Sequence, residues 1–166
     1  GKLIGLAGGE AADVARARPI LEQLCRRLEH AGPVGSGAVL KFAVNLPLMV
    51  YWQALGEALA LAHALPVTPE RLMDLLSDTS GAATIAKVRA PGVAAMLKGG
   101  DPGPVTFNVD GGIKDMRAML AEAQSHGIEL PVLEETLACY EETKHNRSGA
   151  AEISTVSAYW ASRGKR

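Results

Sequence analysis

Aromatic residues are scarce in this chain, at 4% of 166 positions, and neither sign of charge dominates, the formal net charge being -1. So few rings argue against a β-sandwich, whose strands draw on aromatic and β-branched side chains. A balanced charge removes the electrostatic case for nucleic acid or an anionic membrane as partner. The two cysteines, Cys25 and Cys139, lie far apart and fit no metal-ligand or redox spacing, which points to a reducing cytoplasm and to no bound metal. No stretch reads as apolar enough to cross a bilayer, because Lys41, Asn45, Gln53, Glu57 and His63 interrupt the segment 40–65. The first residues lack the basic-then-apolar profile of a signal peptide.

What is present is alanine, leucine and a helical period. A short apolar strand (Lys2 to Ala7) runs into Gly8-Gly9, then a helical stretch with Ala11, Val14, Ile20, Leu21 and Leu24 at helical intervals, then a second strand over Arg26–His30. Two short strands and one helix cannot cover both faces of a sheet. Residues 1–31 therefore read as the end of a larger α/β domain, and residues 32–166 as a helical domain. In the latter, a long segment opens at Gly37 with Leu40, Val44, Leu48, Tyr51, Leu55, Leu59 and Ala62 in one stripe, bent near Ala43 by Pro47. Thr68-Pro69-Glu70 starts a second helix, Ala82–Ala90 forms a third that halts before Pro91, and Asn108 caps a fourth ending at Gly127. Its inward residues are Ile113, Met116, Leu120 and Ala123. Pro131 begins a fifth, and Ile153–Trp160 forms the last.

Two constellations carry chemistry. In Gly35-x-Gly37-x-x-x-Lys41-x-x-x-Asn45, positions 37, 41 and 45 stack along one helical face. One reading is a solvated surface stripe. Against it, Leu40, Phe42, Ala43 and Val44 imply a largely buried helix whose polar face meets something polar. A lysine and an amide placed so can exchange a proton with a hydroxyl or carbonyl oxygen and hold that oxygen in place. The glycine order is not the dinucleotide fingerprint. In the second, Phe107-Asn108-Val109-Asp110-Gly111-Gly112-Ile113-Lys114-Asp115, the pair Asp110 and Lys114 has the spacing of a surface ion pair. The adjacent glycines each cost roughly 1 kcal/mol in a helix interior, so either something approaches that turn or the helix starts later. His30, His63, His126 and His145 share no spacing and read as strand-end and helix residues.

Together the strand, Gly-Gly, helix, strand order, the stretch Gly32-Pro33-Val34-Gly35-Ser36-Gly37 leading to Lys41 and Asn45, and Phe107 with Lys114-Asp115 resemble the β-hydroxyacid dehydrogenase family over essentially the whole chain. The resemblance implies a mainly α fold: an all-helical, 6-phosphogluconate-dehydrogenase-like C-terminal domain preceded by a β-α-β remnant of a Rossmann domain. It implies NAD or NADP as cofactor and a small 3-hydroxy acid of the 3-hydroxyisobutyrate type as substrate, interconverted with its semialdehyde. Lys41 would be the general acid/base, with Asn45 orienting the substrate and Gly35, Ser36 and Gly37 lining the substrate cleft. Phe107 and Lys114 would reach the cofactor, with Asp115 positioning its neighbours. The helical domain would form a homodimer or homotetramer. The family's N-terminal glycine fingerprint is absent, and Pro47 follows Asn45 closely. A non-catalytic helical dimerisation module of the same fold is the alternative; imine reduction usually replaces the lysine, so Lys41 argues against it.

Overall fold

A computed structural model describes residues 2–163. The elements run β1 (Leu3–Gly8), α1 (Ala11–Leu24), β2 (Cys25–Gly32), α2 (Ser36–Leu61), α3 (Pro69–Ser77), α4 (Ile85–Leu97), α5 (Val109–Ser125), α6 (Pro131–Asn146) and α7 (Thr155–Arg163). The chain forms two compact units, Gly1–Leu46 and Pro47–Arg166.

In the first unit β1 and β2 pair in parallel, with Gly5 opposite Leu28 and Ala7 opposite His30, and α1 supplies the crossover. Of the five apolar positions at helical intervals in α1, only Val14 is buried. Leu3, Ile4, Ile20 and Leu24 are all at least half exposed, which leaves an apolar layer largely uncovered within this chain.

The second unit is a helical cluster. Met49, Trp52, Leu55 and Leu59 form one stripe of α2 and are buried with Met73, Val93, Met116, Leu133 and Val156 from the other helices. At Gly56 α7 crosses closely: a Cβ there would meet Trp160 Cβ at 2.8 Å and Ser157 Cα at 3.0 Å. Ser157 Oγ donates to the Trp52 carbonyl at 2.5 Å. The expected caps are in place. Thr68 accepts from the Arg71 amide, Asn108 from the Gly111 amide, and Gly127 takes φ +67° just past α5.

Several expectations are corrected. The buried stripe of α2 begins at Met49, whereas Leu40 and Val44 are 37% and 57% exposed; Met49 and Trp52 take the buried places expected of Leu48 and Tyr51, which are half-buried, and the two faces agree only from Leu55 to Leu59. On α5, Met119 takes the buried place expected of Leu120, which is half-buried. Helix α4 does not halt at Pro91 but continues to Leu97. Pro91 and Lys87, the residue whose carbonyl it frees, are both exposed, while Val93 and Ala94 are buried beyond it. Pro47, expected within α2, does stand inside it, again with proline and freed-carbonyl residue (Ala43) both exposed. A proline on the wet face of a helix loses one hydrogen bond that water replaces, and burial of the opposite face carries the helix through. Helix α2, at 26 residues and with mean hydropathy 1.3 over its most apolar 18-residue window, also meets the length and hydropathy of a bilayer span, because averaging dilutes the polar positions that argued against one.

Tyr140 is fully buried, and its hydroxyl donates to the Met49 carbonyl at 3.0 Å. Burial first, and then the charge of Glu152, pushes the phenol well above its ordinary range. The unfolded phenol ionises near 10 and the folded one higher, so Tyr140's contribution is intact below about pH 10 and declines as pH rises further. Urea denaturation as a function of pH should show an extra alkaline slope of up to about 1.4 kcal/mol per pH unit. Tyr140→Phe should remove that slope and lose about 1 kcal/mol at neutral pH.

Candidate active site

The first constellation begins where β1 and β2 end. Gly9 N donates to the Gly32 carbonyl at 2.8 Å, and His30 Nε2 lies 2.7 Å from the Gly9 carbonyl and 3.1 Å from that of Gly32. Two carbonyl acceptors at one nitrogen require that Nε2 carry the hydrogen. The turn from Gly32 to Gly35 feeds α2, with Ser36 N donating to Pro33 O at 3.1 Å. Gly35 has φ +97° and open space around it, so its role is conformational.

Gly37 has a different reason. A Cβ at this position would sit 2.5 Å from the Leu6 carbonyl oxygen and 3.1 Å from Gly8 N. Gly8 reciprocates, its own Cβ position lying 2.8 Å from Pro33 O and 2.9 Å from Gly37 N. Two backbones therefore interlock through a pair of glycines, and the partner that approaches Gly37 is β1. This fixes the first turn of α2 on the sheet.

Lys41 follows one turn later, with Asn45 one turn beyond it on the same face, about 6 Å along the axis. Lys41 is exposed and Asn45 half-buried. The helix around Lys41 is thus more open than its apolar neighbours implied. Among the described residues no carboxylate pairs with Lys41. An ammonium with no acidic partner, beside an amide that can donate and accept, suits contact with a substrate oxygen.

The second constellation is built by a short antiparallel pairing. Ile153 N donates to Phe107 O at 2.9 Å, Val109 N to Ala151 O at 3.0 Å, and Asp110 N to Gly149 O at 2.9 Å. The adjacent glycines are explained by two separate approaches. A Cβ on Gly111 would meet the Phe107 ring at 2.6 Å, and one on Gly112 would meet Ile153 Cδ1 and Tyr140 Cε1 at 3.1 Å. Gly111 lets the ring lie on the first turn of α5, and Gly112 lets the helix seat on the core.

Asp110 and Lys114 do not pair. Asp110 binds Lys144 at 2.7 Å, while the Lys114 ammonium is 82% exposed, with Asp115 at 3.8 Å. A partner from α6 reaches Asp110 more directly than its own helix does. Lys114 is one turn from Gly111, so an aromatic ring and a largely free ammonium share one side of α5. That pairing of a flat apolar surface with a cation fits a nicotinamide dinucleotide, which is planar in part and anionic in part. Lys41 and Asn45 thus stand together in the first unit, and Phe107, Lys114 and Asp115 in the second.

One group escaped the sequence reading. Glu152 is 1% exposed and faces Arg89; nothing in the local pattern marks a residue whose partner lies on another helix. Among the described residues no three His, Cys, Asp or Glu side chains are grouped to hold a metal ion.

Residues 35–160 match the family described as NAD-binding of NADP-dependent 3-hydroxyisobutyrate dehydrogenase. The chain belongs to that family, within the β-hydroxyacid dehydrogenases. It is similar to a 3-hydroxyisobutyrate dehydrogenase of Pseudomonas aeruginosa, 31% identical over 138 residues, covering 80% of this chain and 45% of the relative. An NAD-dependent L-serine dehydrogenase of the same organism is 29% identical over 146 residues, covering 84% of this chain and 48% of the relative. A crystal structure of 3-hydroxyisobutyrate dehydrogenase from Salmonella typhimurium shares the fold with a TM-score of 0.80 at 21% identity, covering 93% of this chain and 53% of that one. The chain spans about half the length of the relatives it matches.

Proposed function

We propose that this chain supplies the lysine-bearing part of an oxidoreductase that interconverts a small 3-hydroxy acid, of the 3-hydroxyisobutyrate type, and its semialdehyde with NAD or NADP. The observation that carries the reading is Lys41, exposed and without a carboxylate partner among the described residues, with Asn45 on its face and the start of their helix locked to β1 by Gly37. Lys41 Nζ accepts the substrate's hydroxyl proton as the carbinol carbon is oxidised, and returns it in the reverse direction. Asn45 holds the same oxygen, and Gly35, Ser36 and Gly37 border the substrate. The nicotinamide, when bound, takes up or gives back the hydride. Phe107 and Lys114 contact the cofactor from the helical side, with Asp115 beside the ammonium at 3.8 Å.

The remaining cofactor contacts come from a nucleotide-binding domain. The exposed apolar residues Leu3, Ile4, Ile20 and Leu24 of the first unit support this, since such a layer needs a neighbour to cover it. A cytoplasmic location goes with the two unpaired cysteines.

The test is cofactor reduction by the enzyme containing this chain, with 3-hydroxyisobutyrate and with L-serine, each against NAD and NADP. Saturable reduction with at least one pair is expected. No turnover with any small 3-hydroxy acid would remove the reading.

A second reading is favoured by one observation. Val39, Leu40 and Val44 on the first part of α2 are 42%, 37% and 57% exposed, an apolar face suited to a second copy of the chain. A purely structural dimerisation module would give a stable dimer by sedimentation and no calorimetric signal with cofactor or hydroxy acid. The dehydrogenase reading accepts the same homodimer, or a homotetramer, and differs in binding both ligands.

A further inference from the structure

We infer that the pair of half-buried Arg89 and buried Glu152 is a positioning device that sets the Phe107 ring on the first turn of α5. For its consequence in catalysis, this rests on the reading above that Phe107 faces the cofactor.

A carboxylate with 1% of its side chain exposed demands a reason, because burying charge is expensive unless every lone pair is answered. Glu152 is answered only in part. Its Oε2 accepts from Ser154 N at 2.8 Å and Ser154 Oγ at 2.5 Å. Its Oε1 has no hydrogen bond; an Arg89 guanidinium nitrogen lies 3.4 Å away. If the pair served only to join α4 to the segment before α7, apolar side chains of similar volume would do as well or better.

The pair's neighbours show what it holds. The same Arg89 nitrogen donates to Thr106 Oγ1, and Thr106 is the residue before Phe107. On the opposite side, Ile153, the residue after Glu152, donates its amide to the Phe107 carbonyl at 2.9 Å. Asn108, the residue after Phe107, bridges Glu152 in the antiparallel pairing. Arg89 and Glu152 therefore bracket Phe107 through its neighbours, Arg89 holding the Thr106 side chain and Glu152 anchoring the segment whose Ile153 amide binds the Phe107 carbonyl. The ring has little freedom of its own, since it is packed where Gly111 lacks a Cβ. A charge pair supplies direction here that an apolar contact would not, because the guanidinium must satisfy a hydroxyl and a carboxylate at once.

The chain has two phenylalanines, Phe42 and Phe107, which makes a fluorine label direct. In protein containing 4-fluorophenylalanine, Phe107→Leu and Phe42→Leu each remove one fluorine resonance and so assign both lines. Glu152→Gln keeps an acceptor for Ser154 and removes the charge that faces Arg89. It should shift or broaden the Phe107 line and leave the Phe42 line in place. The double variant R89M/E152L replaces the pair by apolar groups and should keep the melting transition while still displacing the Phe107 line; it carries the test if Glu152→Gln fails to fold. In the enzyme, either variant should raise the cofactor KM several-fold with a smaller change in the hydroxy-acid KM. A Phe107 line unmoved in the folded variants would overturn the inference. A displaced line in the variants, with an unsubstituted enzyme that itself reduces no cofactor, would uphold the positioning role and instead remove the dehydrogenase reading.

Discussion

Replacing Lys41 by alanine should lower turnover of the 3-hydroxy acid by roughly 10²- to 10⁴-fold, the range expected when a positioned general acid/base is removed. The fold should not suffer. Lys41 is exposed and has no carboxylate partner among the described residues, and substitutions at such positions usually change stability by no more than about 0.5 kcal/mol. Cofactor affinity should also persist, because the proposed contacts come from Phe107, just before α5, and Lys114, on α5. Lys41→Arg separates charge from proton transfer: a guanidinium keeps the positive charge but does not release its proton in a protein. It should retain substrate affinity better than alanine does and be comparably slow in turnover. Steady-state kcat and KM for both variants, with circular dichroism melts as a fold check, decide the matter. Near-normal turnover in Lys41→Ala would remove Lys41 from the chemistry.

Gly37→Ala should be the most damaging single-methyl change in the first unit. An alanine normally stabilises a helix relative to glycine by roughly 1 kcal/mol. Here the added Cβ would arrive 2.5 Å from the Leu6 carbonyl oxygen and 3.1 Å from Gly8 N, both backbone atoms of a paired strand. Neither can move as the tip of a flexible side chain would, so the steric effect wins, with a net loss of about 1–3 kcal/mol. Relief comes by lifting the first turn of α2 off β1, which moves Lys41 one turn later. Turnover should therefore fall as well, by up to about 10²-fold for a displacement near 1 Å. Hydrogen exchange of the amides in β1 and the first turns of α2 should speed up in the variant. Unchanged exchange would show that the two backbones are not interlocked in solution.

Local signals in the sequence carried much of the architecture. Thr68-Pro69-Glu70, Asn108 and Gly127 announce helix ends through their own side chains or backbone freedom, and each stands where its chemistry placed it. The four-residue spacing of Gly37, Lys41 and Asn45 likewise needs only a helix to become a face. Other features depend on tertiary surroundings and were not legible. Whether Pro91 ends a helix turns on which face is wet, and the burial of Val93 and Ala94 settled it. Asp110 has a lysine four residues ahead yet pairs with Lys144 on α6. Gly111 and Gly112 stood out as glycines, but their partners, the Phe107 ring and the Tyr140 and Ile153 side chains, appear only once the helices pack. Glu152 showed nothing at all, since a lone glutamate in a polar stretch is ordinary until Arg89 arrives from α4.

The central claim is that Lys41 moves the substrate proton, and chemical rescue tests it most directly. In single-turnover reactions with saturating 3-hydroxy acid, formation of reduced nicotinamide should nearly vanish in Lys41→Ala. Added methylamine, small enough to occupy the space of the missing ammonium, should restore it in proportion to the free-base concentration. Reduction in the variant at the parent rate without amine would contradict the account.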